Sequence, residues 1–459
     1  MECASPGKTT VSARKLREPN FGGFPLRDLA LVLTLAGLAP LTLRFAFVGI
    51  YLWTWLGLMN PHRLTYGFAQ NAPFNLIIAV LTLGAWIFTT HRKDLKVNIL
   101  AVLLALFSVW ITVTTIFAPA PEFTTPLWER NIKIMLYLFL VMALITNRTR
   151  LNGLMWIFVI SIGFFGVRGA GFMVLTGGNY MVFGPQDSMI YDNNSLALAL
   201  LLTLPIMYYL RGQTQHKLIK LGLLGAMALV FLSVVGSYSR GGVVAVVAML
   251  GFLWLKSRAK IVTGIVAVMA LGVTVLFMPQ KYFDRLDTMH NLESDNSFQG
   301  RLDAWYVAWE AAKERPFGAG FDGPRQPEIW NKYRPEAPAR ASHSIYFMVI
   351  GEHGFVGIFL YLCLLLAAWY NLMRVQRLTR DKPEFSWARD LASALQVSIV
   401  GFVVGGAALP MAYYDGFLLL LVVGVPLRHL VERALAPEKA KVQVRRGAAP
   451  AIANVPVVS

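Results

Sequence analysis

The chain has 459 residues, 56% of them hydrophobic and only 15% charged, with a net charge of +17. Apolar residues at that level, in repeated runs of about 20, exclude an ordinary soluble domain and indicate an all-α, polytopic integral membrane protein. The positive charge sits in short clusters beside the apolar runs, which argues against a nucleic-acid partner and fits contact with membrane lipids.

Residues 1–27 form a basic tail with no small-residue cleavage site, so the first apolar segment is expected to remain as an anchor. Apolar segments follow at 28–60, 73–90, 97–118, 131–146, 152–175, 195–210, 217–237, 241–255 and 260–278, then at 344–373, 390–410 and 413–431. None alternates in the manner of a barrel strand. The first contains Pro40 and Arg44 and reads as one interrupted span or as two short helices forming a hairpin. Counted as one span, it gives about 12 crossings, nine within 28–278 and three within 344–435. The clusters His91–Lys93, Arg148 with Arg150, Arg211–Lys220, Lys256–Lys260 and Arg374–Arg389 are expected on the cytoplasmic side. Both tails, 1–27 and 436–459, then lie there too, the second loosely ordered.

The stretch 279–343 is expected outside, as one large periplasmic loop. Within it Leu302, Trp305, Tyr306, Trp309 and Ala312 follow helical spacing, and Pro316, Gly318 and Gly320 end the pattern. An amphipathic helix of this kind lies against the membrane domain or along its surface. Arg301 falls in its first turn, where its charge and free backbone N–H groups suit an anion such as phosphate.

Arg168, Arg240, Arg301 and His343 lie at or near same-side ends of the apolar segments, where charge is costly and so points to function. Each has a blander alternative. Arg168 can snorkel outward, with Gly166, Gly169 and Gly171 serving helix packing. Arg240 can be an interfacial anchor, His343 a structural histidine, and Tyr191-Asp-Asn-Asn-Ser195 a helix cap. Together the arginines offer planar forks for a diphosphate, and a neutral histidine can accept or return a proton. No Asp-x-Asp, zinc-type cluster, phosphate-binding P-loop or Ser-His-Asp signature is present, so neither metal nor cofactor is expected. Cys3 and Cys363 give no disulfide framework.

Ser239-Arg240-Gly241, Arg301-x3-Trp305 ahead of Pro316-Phe-Gly-Ala-Gly-Phe321, and His343-Ser-Ile-Tyr-x5-Glu352-x-Gly354-x2-Gly357 resemble the successive signatures of the O-antigen ligase and polymerase superfamily. Gly166-Val-Arg-Gly169, Thr176-Gly-Gly178, Gly184-Pro185 and Asp192-Asn-Asn194 are similar to its ligases, including those found beside exosortase systems. The resemblance spans about residues 20 to 435. It implies an inverting glycosyltransferase of the bacterial inner membrane, acting at its periplasmic face. The donor it implies is an undecaprenyl-diphosphate-linked glycan, and the ligase acceptor is the lipid A core. Arg240 and Arg301, and more weakly Arg168, match donor diphosphate ligands, and His343 matches the essential histidine, a base or a phosphate ligand. A polymerase or a protein O-glycosylation ligase shares this pattern. A lipid-linked oligosaccharide flippase is the alternative outside enzyme chemistry.

Overall fold

A computed structural model describes residues 26–88, 98–257, 259–276 and 296–436, whose regular structure is helical with no strand. The expectations for both tails, the His91–Lys93 cluster and the opening of the long loop fall outside these described residues. The apolar helices are α1 (Leu26–Arg44), α2 (Ala46–Met59), α3 (Phe74–Phe88), α4 (Ile99–Ile116), α5 (Pro121–Leu144), α6 (Arg148–Leu175), α7 (Asn193–Gln213), α8 (Lys217–Gly236), α9 (Arg240–Lys256) and α10 (Lys260–Leu276). After them come α11 (Asn296–Glu314) and the short α12 (Pro327–Tyr333), then α13 (Ile345–Leu378), α14 (Ser386–Gly405) and α15 (Asp415–Leu435). Side-chain caps begin several of them. Asn98, Asn147 and Ser239 accept from the backbone N–H of Leu100, Arg150 and Gly242 at 2.9, 2.8 and 2.9 Å, occupying donors that a helix start leaves free.

Seven of the described helices, including α1, α4, α6, α7, α8 and α13, are long and apolar enough to cross a membrane, and α2, α3 and α10 are shorter apolar helices. The protein is a multi-pass membrane protein. The count by length and composition is lower than the sequence suggests because α3, α9 and α10 are only 15, 17 and 17 residues long and charge interrupts two further segments. Glu129, Arg130 and Lys133 lie inside α5, and Arg428, Glu432 and Arg433 inside α15.

The segment 28–60 is a hairpin, not one broken span. Arg27, at the start of α1, donates to the Leu64 carbonyl at 3.3 Å and the Tyr66 hydroxyl at 3.1 Å, beyond the end of α2. The bend at Phe45 lies at the opposite end, where the Arg150 guanidinium sits 4.3 Å from the Phe47 ring. Leu31 and Leu35 of α1 pack with Leu52 and Leu56 of α2. The two helices therefore run antiparallel. Residue 26 lies at the end of the bundle where α15 begins, and residue 435 at the other, where Arg428 reaches Asn371 at 3.1 Å.

The core is built on α7 and α15. Every residue from Ser195 to Thr203 and from Gly416 to Leu427 is buried. Around them α6 packs closely on α8. A Cβ at Gly166 would stand 2.6 Å from Val230, and one at Gly169 would stand 2.3 Å from the Ser233 hydroxyl, while one at Gly171 meets nothing within 4 Å. Two of the three glycines therefore serve helix approach. Adding a methyl at Gly169 forces overpacking worth about 1–3 kcal/mol. Gly169→Ala is expected to lower the melting temperature in detergent clearly more than Gly171→Ala. Equal melting temperatures for the two variants would contradict this packing.

Candidate active site

The helix expected around Arg301 forms as α11, with a different buried face. Ala304, Val307, Ala308 and Ala311 turn inward, whereas Leu302, Tyr306 and Trp309 stay 39, 42 and 44% exposed. Small side chains win the contact because α11 lies close on α13. A Cβ at Gly351 would come within 2.8 Å of Ala308. The large rings occupy the edges of the contact. Trp305 stacks on Phe347 with centroids 4.8 Å apart and donates its indole N–H to the Ser342 carbonyl at 2.5 Å.

That bond fixes the residue before His343. Arg301 lies one helical turn ahead of Trp305 and on the same face, which directs it toward His343. His343 itself has a left-handed backbone, φ 44°, a conformation non-glycine residues adopt rarely and mostly where the surroundings enforce it. Burial lowers the proton affinity of its ring, and the charges of Arg301, Arg325 and Arg340 lower it further against an opposing effect of Asp192. The imidazole is therefore neutral at pH 7 and able to accept a proton.

Arg325 and Arg340 were not singled out from the sequence. Arg325 pairs through Nε with Asp322 Oδ1 at 2.9 Å, and Arg340 lies across Gly300, where a Cβ would meet its side chain at 2.6 Å. Burial raises the Asp322 pKa, and Arg325 counters the rise. The available signal was position, since Arg340 stands three residues before His343 and Arg325 four after Phe321.

Glu352 was visible in the signature without a role, and the structure supplies one. Its backbone carbonyl accepts from Ala319 and Gly320 at 3.1 and 2.8 Å. Its buried carboxylate accepts from the Asp322 N–H at 2.9 Å and the Tyr413 hydroxyl at 2.7 Å. The loop ahead of Arg325 is thus held on α13. Gly318 and Gly320 have φ 72° and 76°, and a Cβ on Gly318 would stand 2.4 Å from the Glu352 carbonyl oxygen, so no other residue fits there. The Gly354 break in α13, φ 66° and ψ −170°, lets Pro316 approach the helix.

Arg240 opens α9 at the same end of the bundle. The neighbouring Gly241 stands against Gly405 and Leu409, and Gly406 next to that corner packs on Ile345, two residues after His343. Asn193 donates to the Ser237 carbonyl at 2.8 Å, joining the start of α7 to the Arg240 turn. Asp192 accepts from Asn194 and Ser195 at 3.0 Å, so the Tyr191–Ser195 tract is a helix cap, while its charge still reaches His343. A cavity of about 350 Å³ opens beside these groups, lined by Arg130, Asp322, Arg325, Arg340, Ser342 and Glu352.

Arg168 is placed elsewhere. It lines a separate cavity of about 1040 Å³ with Arg27, Arg63 and Tyr66. The structure thus gathers Arg240, Arg301 and His343 at one end of the bundle and leaves Arg168 to another recess.

Trp305→Phe keeps the stack on Phe347 but leaves the Ser342 carbonyl without its donor, a loss of about 1 kcal/mol. Amide exchange measured by mass spectrometry over residues 340–344 is expected to speed up in this variant; unchanged exchange there would mean that Trp305 does not position His343.

Residues 195–362 match the family described as O-Antigen ligase, and residues 26–215 match a family of unknown function (DUF5935). No curated protein matches the chain. The first match contains Arg240, Arg301, His343 and Glu352, and Arg168 lies within the second. Residues 195–362 are thus similar to the O-antigen ligase/polymerase superfamily.

Proposed function

We propose that the chain is an inverting, metal-independent membrane glycosyltransferase. It moves O-antigen glycan from undecaprenyl diphosphate to lipid A core at the periplasmic face of the bacterial inner membrane. The family match over residues 195–362 supports ligase or polymerase chemistry on lipid-linked glycans. The observation that carries the rest is the neutral His343 beside Arg301, with Arg240 at the same end of the bundle.

Arg240 and Arg301 hold the donor diphosphate, and their permanent charge takes over the neutralising task that a metal performs in many soluble transferases. The acceptor hydroxyl attacks the anomeric carbon from the face opposite the diphosphate. As the new C–O bond forms, the bond to the phosphate oxygen breaks and its electron pair leaves on the lipid diphosphate. The hydroxyl proton passes to His343 and then to water. A neutral imidazole suits this task, because an imidazolium among arginines has no site for the proton. Configuration at the anomeric carbon inverts. With the site facing the periplasm, the start of α1 lies on that side as well.

The test is transfer by purified protein from undecaprenyl-diphosphate-linked glycan to lipid A core. Arg301→Ala is expected to lower the turnover by about 10²–10³-fold, as for loss of one preorganised charge-stabilising donor. His343→Ala is expected to lose about 10²–10⁴-fold. Turnover requires neutral His343, whose pKa is lowered, so the acid limb of the native pH profile is expected below the ordinary histidine value of 6.5. An acid limb above 6.5 would remove His343 from the base role. Extension of a lipid-linked repeat unit without transfer to lipid A core would make the protein a polymerase. Movement of the lipid-linked glycan across vesicles without transfer would make it a flippase.

A further inference from the structure

We propose that the recess between the α1–α2 hairpin and α6 binds the phosphate headgroup of an anionic membrane lipid, at a site separate from the one around His343. The inference concerns binding alone and stands apart from the transferase reading. Its starting point is Arg168. Ile160, Phe164, Val167, Phe172 and Leu175 form an exposed stripe along one face of α6, and Arg168 lies in that stripe, itself exposed. It stands seven residues before the end of the helix, about 10 Å into the apolar span at 1.5 Å per residue. Among the described residues it has neither a hydrogen bond nor an ion pair. A charge placed there is costly unless an anion or water answers it.

The recess supplies two more guanidinium groups. Arg27 points across its mouth to Leu64 and Tyr66, and Arg63 pairs with Asp187 at 3.6 Å through side chains 35 and 73% exposed. So exposed a pair contributes little and leaves Arg63 free to bind a stronger anion. The described wall of the cavity contains these three arginines and no carboxylate. Its volume of about 1040 Å³ exceeds what a bare phosphate fills, and Tyr66, Phe172 and Phe183, exposed by 69, 43 and 55%, offer apolar surface beside the charges. Three guanidinium groups around one recess with apolar surface beside them match the phosphate headgroup and chains of an anionic lipid.

The experiment uses the full chain in phosphatidylcholine nanodiscs containing a minor share of phosphatidylglycerol, with retained lipid counted by native mass spectrometry. The native protein is expected to retain phosphatidylglycerol over phosphatidylcholine. Arg168→Ala and Arg63→Ala are each expected to lower that retention about fivefold, the factor given by about 1 kcal/mol per basic residue. Arg168→Lys is expected to keep most of it. Arg374→Ala, near the other end of α13, is expected to change nothing. If Arg168→Ala does not fold, Arg27→Ala, an exposed position, gives the same reading. Equal retention in native and variant protein overturns the site, as does an equal loss in Arg374→Ala. Release of the lipid by millimolar inorganic phosphate would show a free-anion site and overturn the lipid assignment.

Discussion

A buried carboxylate must find donors for its oxygens, and Glu352 finds them in two parts of the chain far apart in sequence. One is the Asp322 amide, in the loop that follows α11; the other is the Tyr413 hydroxyl, between α14 and α15. Its own backbone carbonyl closes the turn at Ala319 and Gly320. Three separate stretches are therefore tied at one point on α13. The Gly354 break makes room for that closure, and the positive φ of Gly318 and Gly320 makes the turn possible. The position of Arg325, and through it part of the field at His343, follows from this junction.

The consequence is a site whose electrostatics are set by loops but whose geometry is set by helices. Trp305 carries the rigidity of α11 to Ser342, and the cap at Asp192 carries that of α7 to the Arg240 turn through Asn193. Guanidinium groups surround a histidine that stays neutral because it is partly buried among them. Such an arrangement separates two tasks that a single residue performs poorly. In the proposed reaction, permanent charges meet an anionic leaving group, and an uncharged ring remains free for the proton. The second recess repeats the arginine chemistry without a histidine on its described wall, which suits holding a lipid and gives no base for transfer.

Much of this was legible in the residues. Apolar run length gave the membrane class, and helical spacing gave α11. The motifs around Arg240, Arg301 and His343 marked three residues that the structure brings to one end of the bundle. Three features were not legible, each for a physical reason. Pro40 and Arg44 mark a break without stating whether the chain continues or returns, and only the packing of Leu31 and Leu35 on Leu52 and Leu56 makes it a hairpin. The apolar stripe of α11 suggested that aromatic residues face inward, whereas close approach at Gly351 selects alanines. Arg168 shares its chemistry with Arg240, and spacing in sequence says nothing about which recess it enters. Loop residues such as Arg325 and Arg340 carry no periodicity, so their convergence on His343 needs the fold.

The central claim is that a lipid diphosphate sits between Arg240 and Arg301 with its sugar carbon beside His343. The most direct measurement is a structure of the protein bound to a non-transferable undecaprenyl-diphosphate-linked sugar. The account predicts diphosphate density contacting both arginines and the anomeric carbon facing the His343 ring. Diphosphate held instead by Arg27, Arg63 and Arg168, with His343 distant from the sugar, would contradict it.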